Sequence, residues 1–534
     1  MAPGDHGWSN FLTYGHLLRT NAAKFPNKEA VIDGLSGKTL THKELYTEAC
    51  RLANGLLDLR LARGDHIYWM SYDKGWGFEL YAGPALAGIS QTPMNYRFTP
   101  AEAVTQIKHC EPKAIIFQED FTDFLEQIRP LVPKVKQYIC ITVEKKAPEW
   151  AHDYWEMKAK SSDRNPEERV GEITPDDLFI IMYTAGTTGY PKGVMHSHSS
   201  ALSYGICFAD QLDFARHTRF LFLMPLYHWG GYQIPFVVVW LGGTTVICPY
   251  EPERSWEMTE KYKINQVLMA PSMWVMSLAV PDFKQKWDVP SLKRLSSGAA
   301  PLLTSVTDRI FEAFPDAEFN DCYTATEAPF ASTYRELIEK YPRNVGVAQL
   351  GREISIREVD DRTKECPPGK PGVIYGRGPG THLGYYKSEE GNRNTFLPDG
   401  WQTSEDTGYI DPETGLLYVF DRVKDVICTG GEMVSSVEVE EVVLRHPAVA
   451  ECAVIGIPDL RLQERVTAIV VLKPGPTATP GEIEKFCKGK IAGLKRPRLV
   501  EIVDSIPKNP VGKILKKELR EPYWKGYETR VMGR

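Results

Sequence analysis

From about residue 10 to about residue 345, short apolar runs alternate with amphipathic stretches. The runs at 178–183, 220–224, 245–248 and 266–269 are four to six residues long and largely apolar throughout, not apolar at every second position. That pattern fits strands buried on both faces, as in a parallel sheet covered by helices. Helical periodicity with a small or polar start follows in stretches such as 302–313. Residues 54–61, the Gly64-Asp65 pair and the run 67–70 read as helix, turn and strand. The pattern predicts an α/β fold, with parallel or mixed sheets flanked by helices in a large N-terminal domain.

The period changes after about Gly346. The runs 354–359, 372–376 and 408–421 alternate, and Asp-Pro-Glu-Thr-Gly at 411–415 marks a turn between two of them. These predict a β-rich subdomain over about 346–422. Beyond Arg422 the pattern changes again, with a helix at 437–444, strands at 450–455 and 466–472, and a Pro/Gly/Thr-rich loop at 474–481. This predicts a small α+β C-terminal domain, so the chain divides into 1–422 and 423–534.

Composition narrows the class. A chain of 534 residues is too long for one core. With 43% hydrophobic and 25% charged residues it is neither disordered nor fibrous. The 63 basic and 69 acidic residues leave a net charge of −6, which offers no argument for nucleic acid as a partner. None of the 10 cysteines forms a C-x-x-C pair, which suits reduced core thiols better than a zinc site. Residues 1–11 lack the apolar segment of a secretory signal. The longest apolar stretch, 234–241, falls far short of the ~20 residues of a membrane span. The expectation is a cytoplasmic protein with no integral membrane segment, monomeric or homodimeric.

Candidate chemistry concentrates at residues 183–193, Tyr-Thr-Ala-Gly-Thr-Thr-Gly-Tyr-Pro-Lys-Gly, after a buried strand. Gly186, Gly189 and Gly193 let backbone approach a ligand closely, Thr184, Thr187 and Thr188 add hydroxyls, and Lys192 adds a positive charge. Together these suit a phosphate cradle. It is not a Walker loop, because Gly193 rather than Ser or Thr follows Lys192.

This stretch resembles the signature loop of the acyl-adenylate-forming enzymes, a superfamily that includes acyl-CoA synthetases, peptide-synthetase adenylation domains and beetle luciferases. Further motifs at 225–231, 296–302, 320–327, 400–411, 421–440 and 507–515 extend the resemblance in order along nearly the whole chain. It implies an AMP-forming carboxylic acid–CoA ligase with ATP, Mg²⁺ and coenzyme A as its small molecules. A carboxylate attacks the α-phosphate of ATP, and a thiol then displaces AMP from the acyl-adenylate.

The roles implied by resemblance are as follows. His228, in Pro225-Leu226-Tyr227-His228, borders the acyl carboxylate. Gly298, Ala299, Ala300 and Asp321 adjoin the nucleotide. In Tyr323-Thr324-Ala325-Thr326-Glu327, Tyr323 stacks on adenine, Thr326 meets a phosphate oxygen and Glu327 supplies the carboxylate for Mg²⁺. Asp406, in Gly400-Trp401-Gln402-Thr403-Ser404-Glu405-Asp406, accepts from the ribose hydroxyls, and Arg422 is the second ribose contact. Lys424 is the hinge about which the small domain turns. Gly430, Gly431 and Glu432 line the tunnel for the CoA thiol. Lys513, in the last motif, bridges carboxylate and α-phosphate, so Lys513, His228, Thr184 and Glu327 form the catalytic set.

The acyl pocket is expected along His228, Trp229, Tyr232, Ala299 and Ala328, an apolar lining suited to a fatty, alicyclic or aromatic acid. For Trp229, packing against the core is the preferred reading. His196 and His198 read as helix-start residues. The chain departs from the family pattern at Ala185, Thr324, Ser404, Glu405, Asp421 and Val511. Residues 485–534 hold 14 Lys/Arg against 5 Asp/Glu, a solvated face or an attraction for the phosphates of CoA, with Lys495 and Arg496 as candidates. Two alternatives stand beside the ligase: an adenylating enzyme that loads a separate acyl carrier protein, and a non-catalytic nucleotide-binding homologue.

Overall fold

The computed structural model describes residues 13–184, 192–430, 432–508 and 514–525. Two large sheets and their helices make up most of it. The nine-stranded sheet runs in the order Val347–Ala348, Ala328–Tyr334, Glu318–Ala325, Arg294–Gly298, Gln266–Met269, Arg219–Phe222, Thr244–Ile247, Glu29–Asp33, Thr39–Thr41. Its interior pairs are parallel, and antiparallel strands close both edges. The eight-stranded sheet has parallel strands from Leu178–Thr184 through Ser90–Pro93 to His152–Asp153. At its other edge, Lys192–Ser197 and Gly384–Tyr385 pair antiparallel.

The largest core cluster lies on helices that pack between these sheets. Gly77–Leu86 and Trp229–Trp240 are apolar almost all round and buried almost throughout, as expected of helices enclosed on every side. The strand runs read between residues 67 and 269 are present with edges shifted by at most two residues, whereas those read at 450–455 and 466–472 extend further, to Val449–Asp459 and Gln463–Leu472. The loop read at 474–481 is shorter than expected. Thr479 and Glu482 exchange capping bonds, which starts the helix Pro480–Cys487 inside it.

A four-stranded antiparallel sheet follows, in the order Glu353–Arg357, Gly372–Arg377, Gln402–Ile410, Leu417–Arg422. One irregularity in it shapes the site. Tyr375 pairs with Thr403 but Val373 pairs with Thr407, so three residues bulge out of the ladder where the partner strand has one. Ser404, Glu405 and Asp406 form the bulge opposite Ile374, and such bulges re-aim side chains. The last sheet, of Glu432–Val434, Ile427–Thr429, Gln463–Leu472, Val449–Asp459 and Leu499–Ile502, has its own core around Val439, Val454, Val466 and Ile483. Among the described residues no helix is long and apolar enough to cross a membrane.

Three helices are tied by a buried charge. Lys158, with 3% of its side chain exposed, contacts Glu79 and lies 2.7 Å from Glu48, while Tyr154 donates to Glu79 at 2.9 Å. Replacing Lys158 with Ala strands the Glu79 carboxylate, and a loss of about 3–5 kcal/mol is expected. Urea unfolding of the variant checks this, and Glu79→Gln in the same chain is expected to recover part of the loss.

Candidate functional site

The site forms where the three sheets of the large part of the chain meet. Leu178–Thr184 and Lys192–Ser197 face each other as a hairpin, with Thr184 opposite Lys192. Gly186, Thr187, Thr188 and Gly189 lie between them, outside the described residues, as do Gly431 and Lys513. Gly193 sits where a Cβ would come within 2.9 Å of Ile181, so its lack of a side chain serves packing of the two strands.

Asp406 is the centre of the geometry. Its Oδ2 accepts from the Tyr323 hydroxyl at 2.7 Å, and its Oδ1 accepts from Arg422 Nε at 3.2 Å. Ser404 Oγ lies 2.9 Å from the same Tyr323 hydroxyl and accepts from the Asp406 backbone N–H. The structure thus brings Tyr323, Asp406 and Arg422 together, as the motifs predict. Arg422 belongs to Leu417–Arg422, paired directly opposite Asp406.

A second group borders the first. Glu327 Oε1 accepts from the Tyr385 hydroxyl at 2.8 Å, and burial pushes the Glu327 carboxyl above its usual range against that hydrogen bond. Lys192 Nζ lies 3.0 Å from Glu405 Oε1 and 4.7 Å from the centre of the Tyr385 ring. Gly298 ends the strand Arg294–Gly298 beside Cys322, and Ala299 next to it has φ +71° and is exposed. Ala300, Thr326 and Thr184 are half-buried.

Three sequence readings change. His196 does not start a helix. It lies in the strand Lys192–Ser197, while Ser197 caps the helix that begins at His198. His196 is fully buried, its ring lies flat on Trp229 at 4.1 Å, and its Nε2 donates to the Thr326 carbonyl oxygen at 2.9 Å. Burial pushes it down to about 3, so it is neutral. Its place is behind the Thr326–Glu327 turn, which the sequence reading missed. Tyr232, read as pocket wall, is wholly buried, stacked on Tyr81 at 4.3 Å and packed with Tyr14 and Phe236. It belongs to the aromatic core because its helix is enclosed on every side. Trp229 packs between His196 and Tyr204, in line with the packing reading. Ala328 is also fully buried, in the cluster of Phe330 and Ile374.

Other missed residues are Tyr385 and His382, whose backbone N–H donates to the Glu327 carbonyl oxygen at 2.8 Å. Asp73, buried and pushed up to about 6 by that burial, accepts from the Leu226 N–H at 2.7 Å and so holds the segment leading to His228. His228 itself is half-buried at the start of Trp229–Trp240. Lys424 follows Arg422, and its carbonyl oxygen accepts from Arg520 at 3.1 Å. Gly430, at φ +59°, and Glu432 lie on the hairpin between Ile427–Thr429 and Glu432–Val434. Lys495 is engaged by Glu438 at 2.8 Å. Among the described residues no cluster of three or more His, Cys, Asp or Glu could hold a metal ion by itself.

The chain resembles known proteins over nearly its whole length. Residues 18–386 match the family model of AMP-binding enzymes, and residues 438–513 match that of the AMP-binding enzyme C-terminal domain. A 3-[(3aS,4S,7aS)-7a-methyl-1,5-dioxo-octahydro-1H-inden-4-yl]propanoyl:CoA ligase of Rhodococcus jostii is 30% identical, over 94% of this chain and 97% of the relative. A fatty acid–[acyl-carrier-protein] ligase of Streptomyces coeruleorubidus is 29% identical, over 93% of this chain and 94% of the relative. The crystal structure of ATP-bound MatB from Rhodopseudomonas palustris superposes with a TM-score of 0.85 at 26% identity, covering 96% of this chain and all of that one.

Asp321 gives a pH signature. It lies on the strand that carries Tyr323, flanked in register by Ser297 and Thr333, and burial pushes its carboxyl up to about 7. An unfolded aspartate titrates near ~3.9. The stability owed to the neutral carboxyl is therefore complete below about pH 4 and is lost as pH rises through about 7. Asp321→Asn is expected to flatten the fall in unfolding midpoint between these limits. Equal slopes for the variant and the native chain would count against a buried, neutral Asp321.

Proposed function

The chain belongs to the family of AMP-binding enzymes, and from that premise we propose that it is an AMP-forming ligase joining a mainly apolar carboxylic acid to coenzyme A. The observation that carries the reading is the convergence of Lys192, Tyr323, Glu327, Asp406 and Arg422, drawn from three sheets, around one site. Their chemistry suits a nucleotide. Asp406 has the acceptor capacity for ribose hydroxyls, Tyr323 has a ring for adenine, and Lys192 has a charge for phosphates.

In this reading the acid lies near His228, and its oxygen attacks the α-phosphorus of ATP. The bond to the bridging oxygen breaks, and pyrophosphate leaves. Charge grows on the transferring group, so the protein's work is positioning and neutralisation. Thr184 and Lys513 act there, Lys513 from the C-terminal part of the chain. The acyl-AMP then accepts a CoA thiol at its carbonyl carbon, and AMP leaves with the electron pair of the C–O bond. Glu327 suits Mg²⁺, since its carboxylate is a hard oxygen donor and one of its oxygens is already oriented by Tyr385. When bound, that ion would screen the phosphate charges.

Residues 1–422 hold ATP and acid in this proposal, and residues 423–534 turn about Lys424 between the two half-reactions. The acid class is drawn from relatives that act on a fatty acid and on a bicyclic propanoate. The carrier-protein ligase among these relatives supports a second reading, in which a separate acyl carrier protein replaces CoA.

A panel of fatty, alicyclic and aromatic acids should show AMP formation that depends on ATP, acid and CoA. AMP formation with carrier protein but not CoA would select the second reading, and the absence of pyrophosphate exchange with every acid would be the failure of both. Lys513→Ala is expected to lose adenylation by a factor of roughly 100 or more, the scale for a group that stabilises transition-state charge. It should retain the thioester step from supplied acyl-AMP. Equal loss of both steps would sink the two-state proposal.

A further inference from the structure

Glu405 stands in the bulged segment where the family pattern places glycine. Its backbone has φ +60°, in the left-handed region where glycine is favoured and other residues are strained. The bulge is stabilised locally: Glu405 N–H donates to Thr403 Oγ1 at 3.0 Å, and Glu405 carbonyl oxygen accepts from Val423 at 2.9 Å. Neither bond uses the Glu405 side chain. That side chain instead reaches across to the eight-stranded sheet and places Oε1 3.0 Å from Lys192 Nζ.

The pair lies within the site described above. Lys192 stands over the Tyr385 ring, and the Tyr385 hydroxyl is bonded to Glu327. The side chains of Lys192 and Glu405 are 19% and 37% exposed, so the pair is shielded only in part. A pair of this kind is weak enough to exchange partners, yet it competes with any other anion for the same ammonium.

We propose that Glu405 is an internal counter-ion for Lys192, which the terminal phosphates of ATP must displace and which takes Lys192 back when pyrophosphate leaves. The inference rests on the reading of Lys192 as a phosphate contact. Glu405 then acts through Lys192 as a positioning residue that sets nucleotide specificity. It weakens ligands that carry β- and γ-phosphates and leaves AMP and the acyl-adenylate nearly unaffected. The physical reason is that a ligand binding only the unpaired lysine has its affinity reduced by the fraction of the time that lysine is free. Discrimination of this sign favours a forward reaction, because it loosens the leaving pyrophosphate relative to the retained adenylate.

The test is equilibrium binding by calorimetry of ATP, inorganic pyrophosphate and AMP, each with Mg²⁺, to the full chain. Glu405→Gln, which keeps the side chain's length and removes its charge, is expected to tighten ATP and pyrophosphate by roughly two- to fivefold. AMP should be unchanged. Glu405→Gly, which also relieves the left-handed backbone, should show the same selective gain. In a Lys192→Ala background the Glu405→Gln gain should largely vanish, because nothing remains to compete for.

Unchanged or weaker binding of ATP in Glu405→Gln overturns the proposal, and weaker binding would mark Glu405 as a ligand of the cation. Equal tightening of AMP, or a full gain in the Lys192→Ala background, also overturns it, in favour of general repulsion. Failure of the nucleotide-site reading looks different: the native chain would then bind neither ATP nor AMP.

Discussion

The half-buried carboxylate of Asp406 is the interaction on which the site depends. It accepts from Tyr323 on the nine-stranded sheet and from Arg422 on the small antiparallel sheet, with Asp406 itself on the bulge between them. A carboxylate at such a place needs compensation by donors or cations. Meeting that need fixes the small sheet against the large one and delivers Arg422 to the edge of the segment that leads into the last sheet.

The same logic organises the neighbouring groups. Glu327 is half-buried and has its partner in Tyr385, while Lys192 has Glu405. The carboxylates of the site are therefore held by two phenols and two cations, in pairs that join different sheets except for Asp406 and Arg422, which face each other within the small one. Phenols suit this arrangement because they bond a carboxylate without neutralising it. The acceptor capacity of Asp406 and the charge of Glu327 stay available for ribose and cation in the proposed reaction, and Lys192 and Arg422 stay available for exchange.

How much of this could be read from the sequence follows from what each feature depends on. Strand and helix identities rest on local periodicity, and the runs at 178–183 and 266–269 correspond to Leu178–Thr184 and Gln266–Met269. The grouping of Tyr323, Asp406 and Arg422 was legible because each sits in its own recognisable motif. Contacts between a motif residue and an unremarkable one were not. Tyr385 reaches Glu327 across 58 positions, His196 reaches Thr326 across 130, and Lys192 reaches Glu405 across 213. Glu405 was visible only as a departure from glycine. Tyr232 was misplaced for a related reason: a helix that is apolar on every face has no sequence signal for which face meets a ligand and which meets core.

The segment around Lys424 shows what the proposed rotation requires. Asp421, before it, accepts from the Ser436 N–H at 2.8 Å and from the Ser436 hydroxyl, after it. Asp425 is bonded by Arg520, and Lys516 lies 2.7 Å from Glu440, all four beyond Lys424. A turn at Lys424 therefore carries the Arg520–Asp425 and Lys516–Glu440 pairs along intact and pulls Ser436 away from Asp421. Burial already pushes the Asp421 carboxyl above its usual range against the attraction of Lys516. Separation from the second body exposes that carboxylate to water and recovers hydration in place of the lost bonds. The same turn also separates Glu441 from Arg343, at 3.2 Å, and from Thr304, at 3.1 Å, and parts the Ser435 hydroxyl from the Phe420 carbonyl oxygen, so leaving this arrangement costs those bonds as well as the change in solvation of Asp421. Hydration recovered by the freed carboxylates and by Arg343 offsets part of that cost, which is what a rotation of the proposed kind requires.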